Sequence, residues 1–292
     1  MGHCVWARDD VILRQHCVCR SCCGLLCYAI MSFQYPPPNP DNPHSATPPV
    51  SARPASPAYP VRFPQGVPYV TYTLLGITLI IYLVQMLGQM IYGIDVAAMW
   101  GMKSNAAIAA GQWWRLLTPI FLHGGIFHVG FNMYALYVLG PGLERFYGHW
   151  RYLLLYLVAG VAGNVFSYIF SSYNSLGAST SIFGLLAAQG VFLYQHREMF
   201  GKSAQRSLLN VIFIALINFM IGLSPGIDNW GHLGGFVGGA LYAWFAGPKM
   251  KIVGHPPNLT LKNVRPLAIA LLVALFDLML FIVLAIVAGG AH

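Results

Sequence analysis

The sequence predicts an all-α polytopic membrane protein of about seven transmembrane helices, and three observations carry that reading. The chain is 57% hydrophobic and only 8% charged, against about 25% charged residues in a soluble domain. Seven segments approach the roughly 20 apolar residues that a helix needs to cross a bilayer core. The basic residues stand singly in the gaps between those segments, as they do in the cytoplasmic loops of membrane proteins. With no basic patch, the net charge of +8 does not point to nucleic acid.

The first 30 residues hold all six cysteines, Cys4 to Cys27. The run HCVCRSCC, from His16 to Cys23, lacks a second ligand pair at zinc-finger spacing. Gly24 to Ile30 is too short for a signal-peptide core with its cleavage site. Residues 1–30 are therefore expected to be a Cys-rich extension, optional or spurious, ahead of a compositionally different chain that starts at Met31. Residues 31–68 carry PPPNP and repeated isolated prolines. Such a stretch neither forms a helix nor buries a core, so an extended, disordered cytoplasmic tail is expected.

The seven spans are expected at 69–92, 126–147, 151–171, 179–196, 206–223, 230–247 and 266–289. The first six make a core over 69–248, and 249–292 is a linker followed by the seventh span. The fourth and sixth are short and rich in Gly and Ala, which marks them as central helices whose backbones approach closely. With a cytoplasmic N-terminus, eleven Lys and Arg (from Arg53 to Arg265) fall inside and only Lys103 and Arg115 fall outside. That bias sets the N-terminus in the cytoplasm and the C-terminus outside. The long first outer loop, about 93–125, carries Trp100, Trp113 and Trp114, which favour the headgroup layer.

Polar groups at membrane depth are costly unless partnered or near water, so each is a candidate for function. His128 and Asn132 lie at the outer start of the second span, Ser179 opens the fourth, and His232 stands at the outer end of the sixth. Charge bias and span counting alone thus bring a hydroxyl, two imidazoles and an amide to one shallow depth. A serine is a poor nucleophile until a base takes its proton, and His232 has the right chemistry for that base. His128 and Asn132, spaced i, i+4, share a helix face. With the backbone N–H of Ser179 they can hold a developing oxyanion. From the residues alone, structural roles fit as well: a membrane-helix serine commonly bonds its own backbone, and either histidine can serve packing or proton handling. Ser175 and Ser181 are rival hydroxyls.

At these residues the chain resembles the rhomboid family of intramembrane serine proteases. The resemblance rests on WWRLLTPIFLHGGIFHVGFNM (Trp113 to Met133), GASTSIFGL (Gly177 to Leu185) and DNWGHLGGFVGG (Asp228 to Gly239), in the family's order and on the expected helices. It covers about residues 66–248 and implies a six-helix rhomboid-like bundle to which the seventh helix is added. It also implies a Ser179 nucleophile and a His232 base, with oxyanion stabilisation by His128 and Asn132. By the same resemblance Phe183 packs on the catalytic histidine, Gly235 and Gly239 let the sixth span approach the fourth, and Trp114 and Arg115 shape the outer loop. Substrates would be single-span transmembrane proteins in the lipid bilayer, cut near the outer face, with no metal or organic cofactor. A multi-pass location in the plasma membrane is expected; the residues fix no oligomeric state.

The chain departs from the family pattern at Thr180, where glycine is usual, and the threonine is expected to narrow the entrance or alter the oxyanion hole. Asp228, four residues before His232, is a candidate to orient it, and Glu144 and Arg145 are expected to cap and pair helices. Asp277, an acid inside the apolar seventh span, is expected to face the bundle and accept a hydrogen bond from a core helix. Two other readings compete. One is a rhomboid-like pseudoprotease that binds transmembrane clients without cutting them. The other is a transporter using His128 and His232 as a proton relay, although no internal repeat supports it.

Overall fold

The computed structural model describes residues 4–9, 12–17 and 59–290. The Cys-rich run beyond Cys17 and the Pro-rich stretch up to residue 58 lie outside the described residues. Two compact units are present: Met1–Phe63 with Ile252–Leu261, and Pro64–Lys251 with Lys262–His292.

The smaller unit is built on short strands that the sequence reading did not include. β1 (Cys4–Asp9) pairs antiparallel with β2 (Ile12–Cys17) and with β3 (Tyr59–Arg62). Two further strands follow the sixth expected span, β4 (Met250–Val253) and β5 (Leu259–Asn263), and β5 runs parallel to β3. The signal for the last two was local: two short runs of aliphatic and β-branched residues on either side of a Gly–Pro turn.

The larger unit is helical and holds every candidate site residue. α1 (Tyr69–Tyr92) leads into a long loop, which contains α2 (Val96–Gly101), α3 (Asn105–Ala109) and two 3₁₀ turns, Trp113–Leu116 and Thr118–Phe121. Then come α4 (Ile126–Tyr147), α5 (His149–Phe170), α6 (Ser179–Gln195), α7 (Arg197–Ile221), α8 (Asn229–Ala246) and α9 (Leu267–Gly289). Each of the seven expected spans thus exists as a helix. α7 begins earlier than expected because it continues across a break at Gly201, whose φ of 55° favours glycine.

Four of these helices, α1, α5, α7 and α9, are long and apolar enough to cross a membrane. α6, at 17 residues, is shorter than those four, and α4 and α8 carry glycines and polar residues among their apolar ones. α5, α6 and α8 form a tightly packed inner trio. A Cβ on Gly163 of α5 would come within 2.6 Å of the Gly231 carbonyl oxygen on α8 and of Thr180 Cβ on α6. The outer helices face outward instead: 67% of the α5 span is buried, against 22% of α1, 17% of α7 and 28% of α9. In lipid, an aliphatic surface of that kind needs no further cover.

Buried polar groups join the ends of the bundle. The Glu144 carboxylate on α4 accepts from the backbone N–H of Val70 (2.9 Å) and Thr71 (2.8 Å), from the Thr71 hydroxyl (2.6 Å) and from His149 Nδ1 (2.6 Å). It supplies the cap that Pro68 cannot give to α1. Asp277 faces the bundle, 3% exposed. Its Oδ2 has no partner among the described residues, so the bond expected from a core helix is not made by that oxygen.

Candidate active site

Ser179 is the first residue of α6. The chain reaches it through Gly177, whose φ is 141° and where a Cβ would stand 2.7 Å from His128 Nε2. Glycine is therefore required at Gly177 both for its dihedral and for the space. His232 lies in the first turn of α8, whose N-terminus is capped by Asp228: Oδ1 accepts from Gly231 N–H at 2.9 Å.

The hydroxyl and the imidazole meet. His232 Nε2 and Ser179 Oγ are 2.9 Å apart. The ring stacks on Phe183, one turn beyond Ser179, with centroids 4.3 Å apart and planes inclined by 14°, and Phe219 packs edge-on against Phe183 at 5.1 Å. His232 is buried while Ser179 keeps part of its surface open. His232 Nδ1 has no partner among the described residues. Asp228 does not fill that role: besides capping α8, its Oδ2 accepts from the Ser167 hydroxyl on α5.

The close approach of α6 and α8 is a matter of glycine. A Cβ on Gly235 would overlap the Thr180 carbonyl oxygen, and one on Gly239 would overlap the Gly184 backbone. Thr180 itself does not line an entrance. It is 5% exposed and packs against Gly163 of α5 and Gly231 of α8. The rival hydroxyls are turned elsewhere. Ser181 is fully buried against Gly160 of α5, and Ser175 Oγ lies 3.3 Å from Ser167 Oγ.

On α4, His128 Nδ1 accepts from Gly124 N–H at 3.4 Å, which leaves Nε2 as the protonated nitrogen beside Gly177. Asn132 donates from Nδ2 to the His128 carbonyl at 2.9 Å. In the loop between α1 and α4, Arg115 is buried and donates to the carbonyls of Met102 and Met99 (both 2.8 Å) and to Gln112 Oε1 (2.7 Å). Trp114 Nε1 donates to the Trp100 carbonyl at 3.1 Å.

Three further residues join this region without having been singled out in the sequence. His123 is 2% exposed, edge-on to His128 at 5.1 Å, and its Nε2 accepts from Ala178 N–H at 3.4 Å. Burial, with His128 adding to it, pushes the His123 pKa down to about 3. Gln85 of α1 holds the His123 backbone on both sides: Oε1 accepts from its N–H at 3.0 Å and Nε2 donates to its carbonyl at 3.1 Å. Lys103 is fully buried, and its ammonium donates to the carbonyls of Ser171 (2.9 Å) and Tyr173 (2.8 Å) in the loop leading to Ser179. Burial lowers its pKa to about 8, with Asp228 acting in the opposite sense. Gln85 carried a signal, as one of two amides inside an apolar span; Lys103, in a loop, carried none.

A family model for the rhomboid domain matches residues 110–249. The putative rhomboid protease YdcA of Bacillus subtilis (strain 168) is 35% identical over 145 residues, covering 48% of this chain and 70% of that protein. The chain belongs to the rhomboid family. Rhomboid protease GluP of the same organism is 40% identical over 178 residues, 61% of this chain and 34% of the relative. RHOMBOID-like protein 1 of Arabidopsis thaliana is 42% identical over 129 residues, 44% of this chain and 33% of the relative. The chain spans about a third of the length of the first curated relatives it matches. As a rhomboid with several apolar helices, it is a multi-pass integral membrane protein.

Proposed function

We propose that this rhomboid is an active serine endopeptidase that cuts single-span transmembrane proteins near the outer membrane face, with Ser179 as nucleophile and His232 as base. The observation that carries the reading is the 2.9 Å contact between His232 Nε2 and Ser179 Oγ, within the reach that proton transfer requires.

In this mechanism His232 Nε2 takes the Ser179 proton as Oγ bonds to the scissile carbonyl carbon. The oxyanion receives hydrogen bonds from the Ser179 backbone N–H, from His128 Nε2–H and from the Asn132 amide hydrogen that is not bonded to the His128 carbonyl. His232 then gives its proton to the leaving amine as the C–N bond breaks. Water, deprotonated by His232, attacks the acyl-enzyme, releases the new carboxyl terminus and restores Ser179. The Phe183 stack fixes the imidazole plane, and Gly235 and Gly239 set the helix separation, so no carboxylate is needed on Nδ1. Trp114 and Arg115 hold the outer loop through the carbonyls they bond. The bias of basic residues supports a cytoplasmic N-terminus and an outer C-terminus; a plasma-membrane location is part of the same proposal.

Co-expression with a panel of tagged single-span proteins tests this reading. Wild type is expected to release a fragment that Ser179→Ala does not, with expression and thermal stability nearly unchanged. Cleavage retained by Ser179→Ala would move the nucleophile elsewhere. The pseudoprotease reading draws on the Thr180 departure, and fluorophosphonate labelling separates it: client binding without Ser179-dependent labelling would favour it.

A further inference from the structure

At the end of the bundle away from Ser179, where α6 gives way to α7 and α8 ends, lies an open groove of about 630 Å³. The 17 residues of α6 set it about 25 Å from the nucleophile. Arg197, Lys249 and Arg265 line it, and no acidic residue does. Among the described residues none of the three forms an ion pair.

The surroundings orient these cations without neutralising them. The Arg197 guanidinium lies 4.5 Å over the Tyr194 ring and donates once, to the Tyr194 carbonyl at 3.0 Å. Arg265 Nη1 donates to the carbonyls of Phe245 and Gly247, both at 2.7 Å. The remaining donors of both guanidiniums, and the Lys249 ammonium, have no acceptor among the described residues. His196 adds no charge: its Nδ1 donates to the Phe192 carbonyl at 2.8 Å and its Nε2 accepts from Met250 N–H at 3.0 Å, the pattern of a neutral ring. Tyr194 and Trp244 stack at 6.0 Å and are each about half exposed, forming one wall.

We propose that this groove binds the phosphate-bearing headgroup of an anionic lipid, in the leaflet opposite the one nearest Ser179. Guanidinium forks suit phosphate oxygens, and half-exposed tryptophan and tyrosine at the ends of spanning helices belong to the headgroup layer. A soluble phosphate offers the same oxygens, but it leaves that aromatic wall without a partner. The site stands independently of the chemistry at Ser179.

Native mass spectrometry of the full chain, titrated in micelles with phosphatidylglycerol, phosphatidylcholine or inorganic phosphate, tests the assignment. Phosphatidylglycerol is expected to bind in preference to phosphatidylcholine and to resist displacement by equimolar inorganic phosphate. Each cation near a headgroup is worth roughly a fivefold change in affinity. Arg197→Gln with Lys249→Gln should therefore weaken phosphatidylglycerol binding about 25-fold at an unchanged thermal midpoint. Lys249→Arg should retain it. If the double variant is unstable, Lys249→Gln alone, at an exposed side chain, gives the same reading at about fivefold. Lys202→Gln with Arg206→Gln, outside the groove, should leave affinity unchanged. Equal affinity for the two lipids, unaltered binding in the groove variants, equal loss in the control pair, or ready displacement by inorganic phosphate would each overturn the proposal.

Discussion

Gly235 and Thr180 touch through their main chains: no Cβ fits on Gly235 without overlapping the Thr180 carbonyl oxygen. Gly235→Ala must therefore push α8 from α6, and the displacement falls on His232 and Ser179, which those helices carry. A misplacement of about 1 Å costs on the order of 100-fold in rate. Cleavage by Gly235→Ala is expected to fall by at least about that factor, with Ser179 labelling by a fluorophosphonate falling alongside it. Undiminished labelling would show that the two helices separate without harm to the pair.

The Phe183 ring lies nearly parallel to the His232 imidazole. Removing it frees the imidazole to rotate and takes away a contact worth about 0.5–1.5 kcal/mol. Phe183→Ala is expected to lower kcat roughly 3- to 10-fold with KM little changed, and Phe183→Tyr to restore it. Steady-state cleavage of a reconstituted substrate measures both.

His128 and Asn132 are not equivalent. The protonated Nε2 of His128 is free beside Gly177, whereas Asn132 already spends one donor on the His128 carbonyl. His128→Ala is expected to reduce kcat by about 10²- to 10³-fold. Asn132→Ala should reduce it by roughly tenfold, the scale of one ordinary hydrogen bond. The reverse ranking in single-turnover cleavage would assign the principal donor to Asn132.

His123 makes stability depend on pH. Its pKa falls from the usual 6.5 to about 3 on burial, so between those values the unfolded chain binds the proton that the folded chain refuses. Stability is fully present above about pH 6.5 and is lost progressively as pH falls toward 3. Thermal unfolding in detergent is expected to show a midpoint that drops on acidification through this window, with a shallower drop in His123→Gln. Identical slopes in the two proteins would place the sensitivity in another group.

Much of this was legible in the sequence, and the exceptions have physical causes. Span periodicity needs only local composition, and α1 and α4 begin and end where the apolar runs do. Ser179 and His232 stood out because a hydroxyl and an imidazole at membrane depth demand a reason. Thr180 was misread because the phase of one helix does not say which neighbour its face meets; here that neighbour is the glycine at 163 of α5. In the sequence Lys103 counts only as one of two basic residues in its loop, yet its ammonium is buried among carbonyls contributed from about 70 residues away in the chain. His123 was obscured by the two glycines that separate it from α4. β4 and β5 were too short to stand against the surrounding helical pattern.

The glycine-lined junction of α5, α6 and α8 also decides where this molecule can be soft. Side chains that meet can change rotamer and absorb a push, but carbonyls seated on α-carbons cannot, so the three rods move as one block. Any breathing that admits a guest must then come from the lipid-facing α1, α7 and α9, or from the loop that Lys103 fastens to the approach of Ser179. Ser179 is thus carried on closely packed helices, and compliance is left to the periphery.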